Sequence, residues 1–214
     1  MIKFYHIRKL AIMASVLPLT ACSISSILPE PGPADIVYRL SANNVTVVTP
    51  NADAALLRID RPAMSKAISG HDIVVSPDGR RLAVAEQSRW AEPLPLPDLV
   101  QDALLDVLAG RKSMVGVLPT SGARTPYRIH LTVRNFESTF DNGPGSAPLA
   151  TVHFAATLSN ASTRDLLGTY DVRKTQRASS FQVSSIVEAQ DVANRAALNE
   201  LADWMETVLL NFPS

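Results

Sequence analysis

The chain is 214 residues long, carries 20 basic and 20 acidic side chains, and contains one cysteine, Cys22. Without a basic surplus there is little to neutralise phosphates, which argues against a nucleic-acid partner. One thiol leaves no disulfide within the chain and no cysteine metal cluster, so stability has to come from packing.

Met1 to Lys9 contains Lys3, Arg8 and Lys9 and no acid, and Leu10 to Leu19 is an apolar run broken only by Ser15 and Pro18. That order is the n-region and h-region of a secretory signal, and the run is shorter than the roughly 20 residues needed to cross a bilayer. Leu19-Thr20-Ala21-Cys22 follows, and it resembles a bacterial lipobox: Leu, a small residue, Gly or Ala, then Cys. Without that pattern Cys22 would be an ordinary cysteine beside a cleavage site, with the basic start, the short apolar run and the residue order coinciding by accident. The resemblance implies residues 1–21 as a removable signal, an S-diacylglycerol and an N-acyl group at Cys22, and no other cofactor. Two or three acyl chains on one residue suffice for stable anchoring. Ser23, where an Asp would favour inner-membrane retention, points to the outer membrane with the protein facing the periplasm. With the signal gone, 193 residues remain, with three more acids than bases, enough for one domain with a real core.

Residues 22–34 are the acylated cysteine and a tether. Three prolines, a glycine and three serines between Ser23 and Ala34 cannot bury a core, and the segment can stretch to roughly 35–40 Å. The domain is expected over 35–214. Ile36 to Leu40 and Val45 to Thr49 read as strands around an Asn43-Asn44 turn, and Ala54 to Ile59 as another, ended by Asp60-Arg61-Pro62. Ile73–Val75 and Arg81–Ala85 flank Ser76-Pro77-Asp78-Gly79, a type I turn sequence, and so form a hairpin. From Asp98, Leu99, Val100, Ala103, Leu104, Val107 and Leu108 recur at helical spacing, with Gln101, Asp102 and Asp106 on the other side and Gly110 as the stop. Tyr127, Ile129, Leu131 and Val133 alternate with polar residues, as do Val152, Phe154, Ala156 and Leu158, with Asp141 to Gly145 as the hairpin loop between them and a third strand carrying Leu167, Tyr170 and Val172. Ser185 and Glu188 have capping-box spacing before a helix with Val192, Ala193, Ala196, Ala197, Leu201, Trp204, Met205 and Val208 on one face, closing near Asn211. The fold class is therefore α+β: an antiparallel or mixed β-sheet with two amphipathic helices packed on one face.

Candidate chemistry is sparse. His130 and His153 fall on the polar faces of neighbouring strands, but zinc needs three or four ligands, so no metal is expected. Gly110-Arg111-Lys112-Ser113 follows a helix rather than a strand and is no phosphate loop, and no G-x-S-x-G elbow is present. With no catalytic residues to name, an enzyme is not expected. Arg89-Trp90-Ala91-Glu92-Pro93-Leu94 stands out, either as a core aromatic beside a rigid turn or as a contact surface of Arg89, Trp90, Glu92, Pro93 and Leu94, since Trp and Arg are enriched at interface hot spots and proline lowers the entropic cost of presenting them.

The lipobox, Tyr38-x-Leu40, Arg61-Pro62 after a strand, Trp90-Ala91-Glu92-Pro93-Leu94 before a helix, the Tyr127-x-Ile129-x-Leu131-x-Val133 strand and the alanine-rich closing helix together resemble the ABC-type transport auxiliary lipoproteins. That resemblance implies a non-enzymatic periplasmic accessory subunit, working with an MCE-domain protein, a permease and an ATPase that move lipids or other hydrophobic compounds, and able to form homo-oligomers. The competing expectation is a lipoprotein of an outer-membrane assembly or secretion apparatus.

Overall fold

The computed structural model describes residues 34–40, 46–91 and 93–212. The expected signal, Cys22, the tether up to Pro33, the Asn43-Asn44 turn and Glu92 lie outside the described residues. In chain order the strands are β1 (Ile36–Tyr38), β2 (Ala55–Ile59), β3 (Ala63–Met64), β4 (Asp72–Ser76), β5 (Ala83–Trp90), β6 (Met114–Val117), β7 (Tyr127–Thr139), β8 (Leu149–Asn160) and β9 (Leu166–Arg177); the helices are α1 (Leu96–Ala109) and α2 (Val183–Asn211).

The alternating segments make the long strands, because a two-residue period buries one face and wets the other. Tyr127, Ile129, Leu131 and Val133 on β7 and Val152, Phe154, Ala156 and Leu158 on β8 are all buried. The two strands pair antiparallel from Tyr127 opposite Asn160 to Thr139 opposite Leu149. A bulge between Val133 and Asn135 shifts the phase by one, so that Phe136 continues the buried side. β9 pairs antiparallel with β8 beyond.

The other edge of β7 is divided among three short parallel partners. β2 pairs at Tyr127–Ile129, β3 at Thr132–Val133 and β4 at Ser138–Thr139. Outside them, β6 lies parallel to β2, β5 antiparallel to β4, and β1 parallel to β5. Among the described residues this gives one mixed sheet of nine strands.

Both helices cover the same side of the sheet and touch each other. Small residues let α2 come close: Ala193, Ala197 and Ala202 are almost fully buried beside Leu198, Leu201 and Met205. Trp204 stacks on Tyr170 at 5.2 Å, above Gly168, where an added Cβ would lie 3.1 Å from the indole. α1 sits over β2 and β6, where a Cβ on Gly116 would come within 2.9 Å of the Leu105 and Leu108 side chains. Arg111 bonds Asp203 at 2.5 Å and Ser113 bonds Glu206 at 2.5 Å, tying the end of α1 to α2.

Several local expectations are corrected. Thr46–Pro50 is not a strand; Val48 donates its N–H to the Ala109 carbonyl at the end of α1 and Asn51 donates to Lys112, so this backbone is satisfied outside a ladder. β6 was not anticipated, because Gly116 interrupts its short Met-Val-Gly-Val pattern. α1 begins at Leu96, with Pro97 in the first turn where its missing N–H costs nothing. Gln101 is buried rather than solvated, since its amide donates to the Ile59 carbonyl at 2.8 Å. The Ser185–Glu188 capping box does not form: α2 starts after Gln182, and Ser185 Oγ bonds the hydroxyls of Ser179 and Ser180 instead.

Candidate functional site

β5 ends in the segment that the sequence singles out. Trp90 donates its backbone N–H to the His71 carbonyl at 2.6 Å, and its ring meets Phe136 edge-on at 6.0 Å and 80°. It is 1% exposed. Trp90 is thus a core residue, the first of the two readings the sequence allows, placed there by strand alternation: Tyr38 and Trp90, paired across β1 and β5, point to the helix side. Arg89 points the opposite way and pairs with Asp35 at 3.3 Å. Ala91 donates to the Tyr38 carbonyl at 2.7 Å, so the chain stays zipped to β1 until Pro93-Leu94-Pro95 turns it into α1.

Pro93 is exposed and Leu94 half-buried, and both line an open groove of about 440 Å³. Its other walls are Arg39 and Leu40 after β1, Ala91, and Leu99, Asp102, Ala103, Leu105 and Asp106 of α1. A second groove of about 410 Å³ adjoins it through Leu105 and Asp106 and is bounded by Val47, Val48 and Pro50. α1 is fixed in place at its start: Leu96 donates to the Gly70 carbonyl at 3.1 Å, Arg61 clamps Asp98 with bonds of 2.5 and 3.2 Å, and Gln101 holds Ile59. The Arg61-Pro62 pair of the sequence thus has a structural role, locking the groove's helix to the break between β2 and β3.

Asp98, Asp102 and Asp106 repeat every four residues and share one side of α1. Burial, then the neighbouring carboxylates of Asp106 and Asp98, push the Asp102 carboxyl above the usual aspartate range. The groove therefore joins an apolar floor to an acidic wall. The signal for it lay in the breadth of the apolar arc on α1: Leu99, Ala103 and Leu105 join Val100, Leu104 and Leu108, more than one contact face needs.

The histidines do not meet. His130 lies opposite Thr157 and His153 opposite Asn135, five positions apart along β7, roughly 15 Å. His153 bonds Asp171 at 2.6 Å. His130 lies 3.9 Å from Asp60, whose buried carboxylate is held by Arg128 and by Arg58 at 3.2 Å. These are ion-pair networks on the helix-free face, and among the described residues no group of three His, Cys, Asp or Glu can hold a metal ion.

Residues 38–203 match the family model of the ABC-type transport auxiliary lipoprotein component. The fold is similar to that of protein XCC0632 from Xanthomonas campestris, with a TM-score of 0.68 at 21% identity, covering 82% of this chain and 98% of that one. A second solved structure, of an uncharacterized protein, aligns with a TM-score of 0.61 at 13% identity over 81% of this chain and 99% of the other. No curated protein matches. With the family match running from Tyr38 at the end of β1 through β2 to β9 and α1 to Asp203 in α2, the chain belongs to the ABC-type transport auxiliary lipoprotein family.

Proposed function

We propose that this protein is a non-catalytic docking subunit of an envelope ABC transport system, anchored through acyl chains at Cys22 to the periplasmic face of the outer membrane. Its partners in this reading are an MCE-domain periplasmic protein with its permease and ATPase, and the system moves lipids or other hydrophobic compounds. The observation that carries the docking role is the groove. The Trp90–Leu94 segment turns inward at Trp90 and outward at Pro93 and Leu94, so a buried anchor holds an apolar rim open beside α1. Rigid, partly apolar concavities of this kind suit protein recognition because little entropy is lost on binding.

Two measurements test the two halves. Cys22→Ala removes the acylated sulfur and is expected to leave a soluble periplasmic protein; continued membrane fractionation refutes the anchor. A photoreactive residue at Leu94 in the native envelope is expected to capture an MCE-domain protein; capture of nothing, or only of bulk lipid, refutes the docking role.

A further inference from the structure

We propose that the groove beside α1 takes an apolar segment of a partner protein that carries lysine or arginine, with its apolar side chains on Leu40, Leu94, Leu99 and Ala103 and its cation against Asp102 and Asp106. This deepens the docking reading and rests on it. The argument is charge complementarity on an apolar floor. Among the described residues, Asp98 has a cation of its own, Arg61 at 2.5 Å, and no ion pair is formed by Asp102 or Asp106. Among the described lining residues of the two adjoining grooves the cations are Arg39 and Arg111. Arg111 is spent on α2, bonded to Asp203 at 2.5 Å and lying 3.7 Å from Glu206. That leaves one cation, Arg39, against the two carboxylates of Asp102 and Asp106 in the lining of the first groove, a net negative balance among its described residues.

Asp102, exposed on this wall, registers that imbalance: partial burial, then Asp106 and Asp98, raise its carboxyl above the usual aspartate range. An incoming ammonium or guanidinium supplies the countercharge that α1 lacks. The same wall rejects alternatives: an acidic segment meets like charge, an acyl chain brings no cation, and an anionic headgroup is repelled. The floor supplies affinity and the wall supplies selectivity, the usual division of labour at interfaces.

The test uses the full chain with Cys22→Ser, which changes only the anchor atom, and two fluorescent 12-residue peptides of equal leucine content, one with lysine and one with glutamate at the remaining positions. The lysine peptide is expected to bind about ten-fold tighter, the worth of two rim ion pairs, with the gap shrinking at high salt. The double variant Asp102→Asn, Asp106→Asn is expected to abolish the gap while keeping residual binding, and Ala103→Trp, which fills the floor, to remove binding of both peptides; circular dichroism melts confirm folding of each. Equal affinity for the two peptides, preference for the glutamate peptide, binding unaffected by Ala103→Trp, or displacement of the lysine peptide by phosphatidylethanolamine–phosphatidylglycerol vesicles acting at the groove overturns the proposal. If Leu94 crosslinks to a partner but the charge preference is absent, this inference fails and the docking reading stands; if neither is seen, both fail.

Discussion

Trp90→Ala separates a core anchor from an interface residue by magnitude. The indole is among the largest fully buried side chains, 1% exposed, with an edge-on contact to Phe136 at 6.0 Å. Truncating a buried tryptophan to alanine costs about 3–5 kcal/mol, the cavity included, against a typical total of about 5–15 kcal/mol. In a domain of this size each kcal/mol lowers the melting temperature by about 2–4 °C, so Trp90→Ala should melt about 6–20 °C lower. Leu94→Ala is the control: the side chain is half-buried on the groove rim, and removing it should cost about 1 kcal/mol and a fall of about 2–4 °C. The assay is thermal unfolding by far-UV circular dichroism, paired with the crosslinking yield from a photoreactive residue at Leu99. Leu94→Ala should lose crosslinking with little loss of stability, and Trp90→Ala should lose both. A Trp90→Ala protein that melts within 2 °C of the parent yet fails to crosslink would mean that the indole contacts the partner, and the assignment of anchor and rim would be wrong.

Two further substitutions probe α1. Because the Asp102 carboxyl is raised in the folded state, the fold binds that proton more tightly than the unfolded chain does; the resulting stabilisation is present below the ordinary aspartate range and is lost as pH rises through the raised value. Asp102→Asn should therefore stabilise by about 0.5 kcal/mol at pH 7, the relief of two like-charge pairs four residues apart, or about 1–2 °C, and the gain should vanish near pH 3; an equal shift at both pH values contradicts the electrostatic account. Gly116→Ala places a Cβ 2.9 Å from Leu105 and Leu108. Overpacking of about 1–3 kcal/mol, offset by the lower unfolded-state entropy of alanine, about 0.4–1 kcal/mol, leaves a net loss of about 1–2 kcal/mol in a chemical denaturation curve, and an unchanged midpoint means that α1 does not press on β6.

What was legible in the sequence follows the strength of each pattern. β7 and β8 alternate over many residues and face the helices on one side and solvent on the other, so period alone located them. The helices carried apolar arcs and were equally clear. β3 pairs with β7 over two residues, and so short a piece is defined by its neighbour rather than by its own residues; β6, on the far side of β2, was invisible because Gly116 breaks its four-residue pattern. Gln101 and the Ser185–Glu188 pair misled for another: a polar side chain read as solvated or as a cap can be captured by an orphaned carbonyl or by nearby hydroxyls. At the site, the motif was visible and its partition was not. Whether Trp90 faced in or out depended on its pairing with Tyr38 on β1, a contact across 52 residues that no local pattern encodes.

That partition explains why a docking groove can sit on a surface otherwise given to turns. The break at Asp60-Arg61-Pro62 stops β2 and lets the chain rejoin β7 at Ala63. At the break Asp60 turns to Arg128 and Arg58 on the helix-free face, while Arg61 reaches Asp98 on α1. One interruption in a strand thus fixes the start of the helix, and Gln101 repeats the tie one turn on by capping the last carbonyl of β2. At its far end α1 is held by Arg111 to Asp203. A helix pinned at both ends cannot close the space beside it, and the opposite wall is held by Trp90 in the core and by the Ala91–Tyr38 bond. The groove is open because its two walls are anchored to different strands, β2 and β5, that have β7 and β4 between them. Preorganisation of that kind leaves the cost of ordering to the partner alone, which is why loosening an anchor such as Trp90 should weaken docking without touching the residues that make contact.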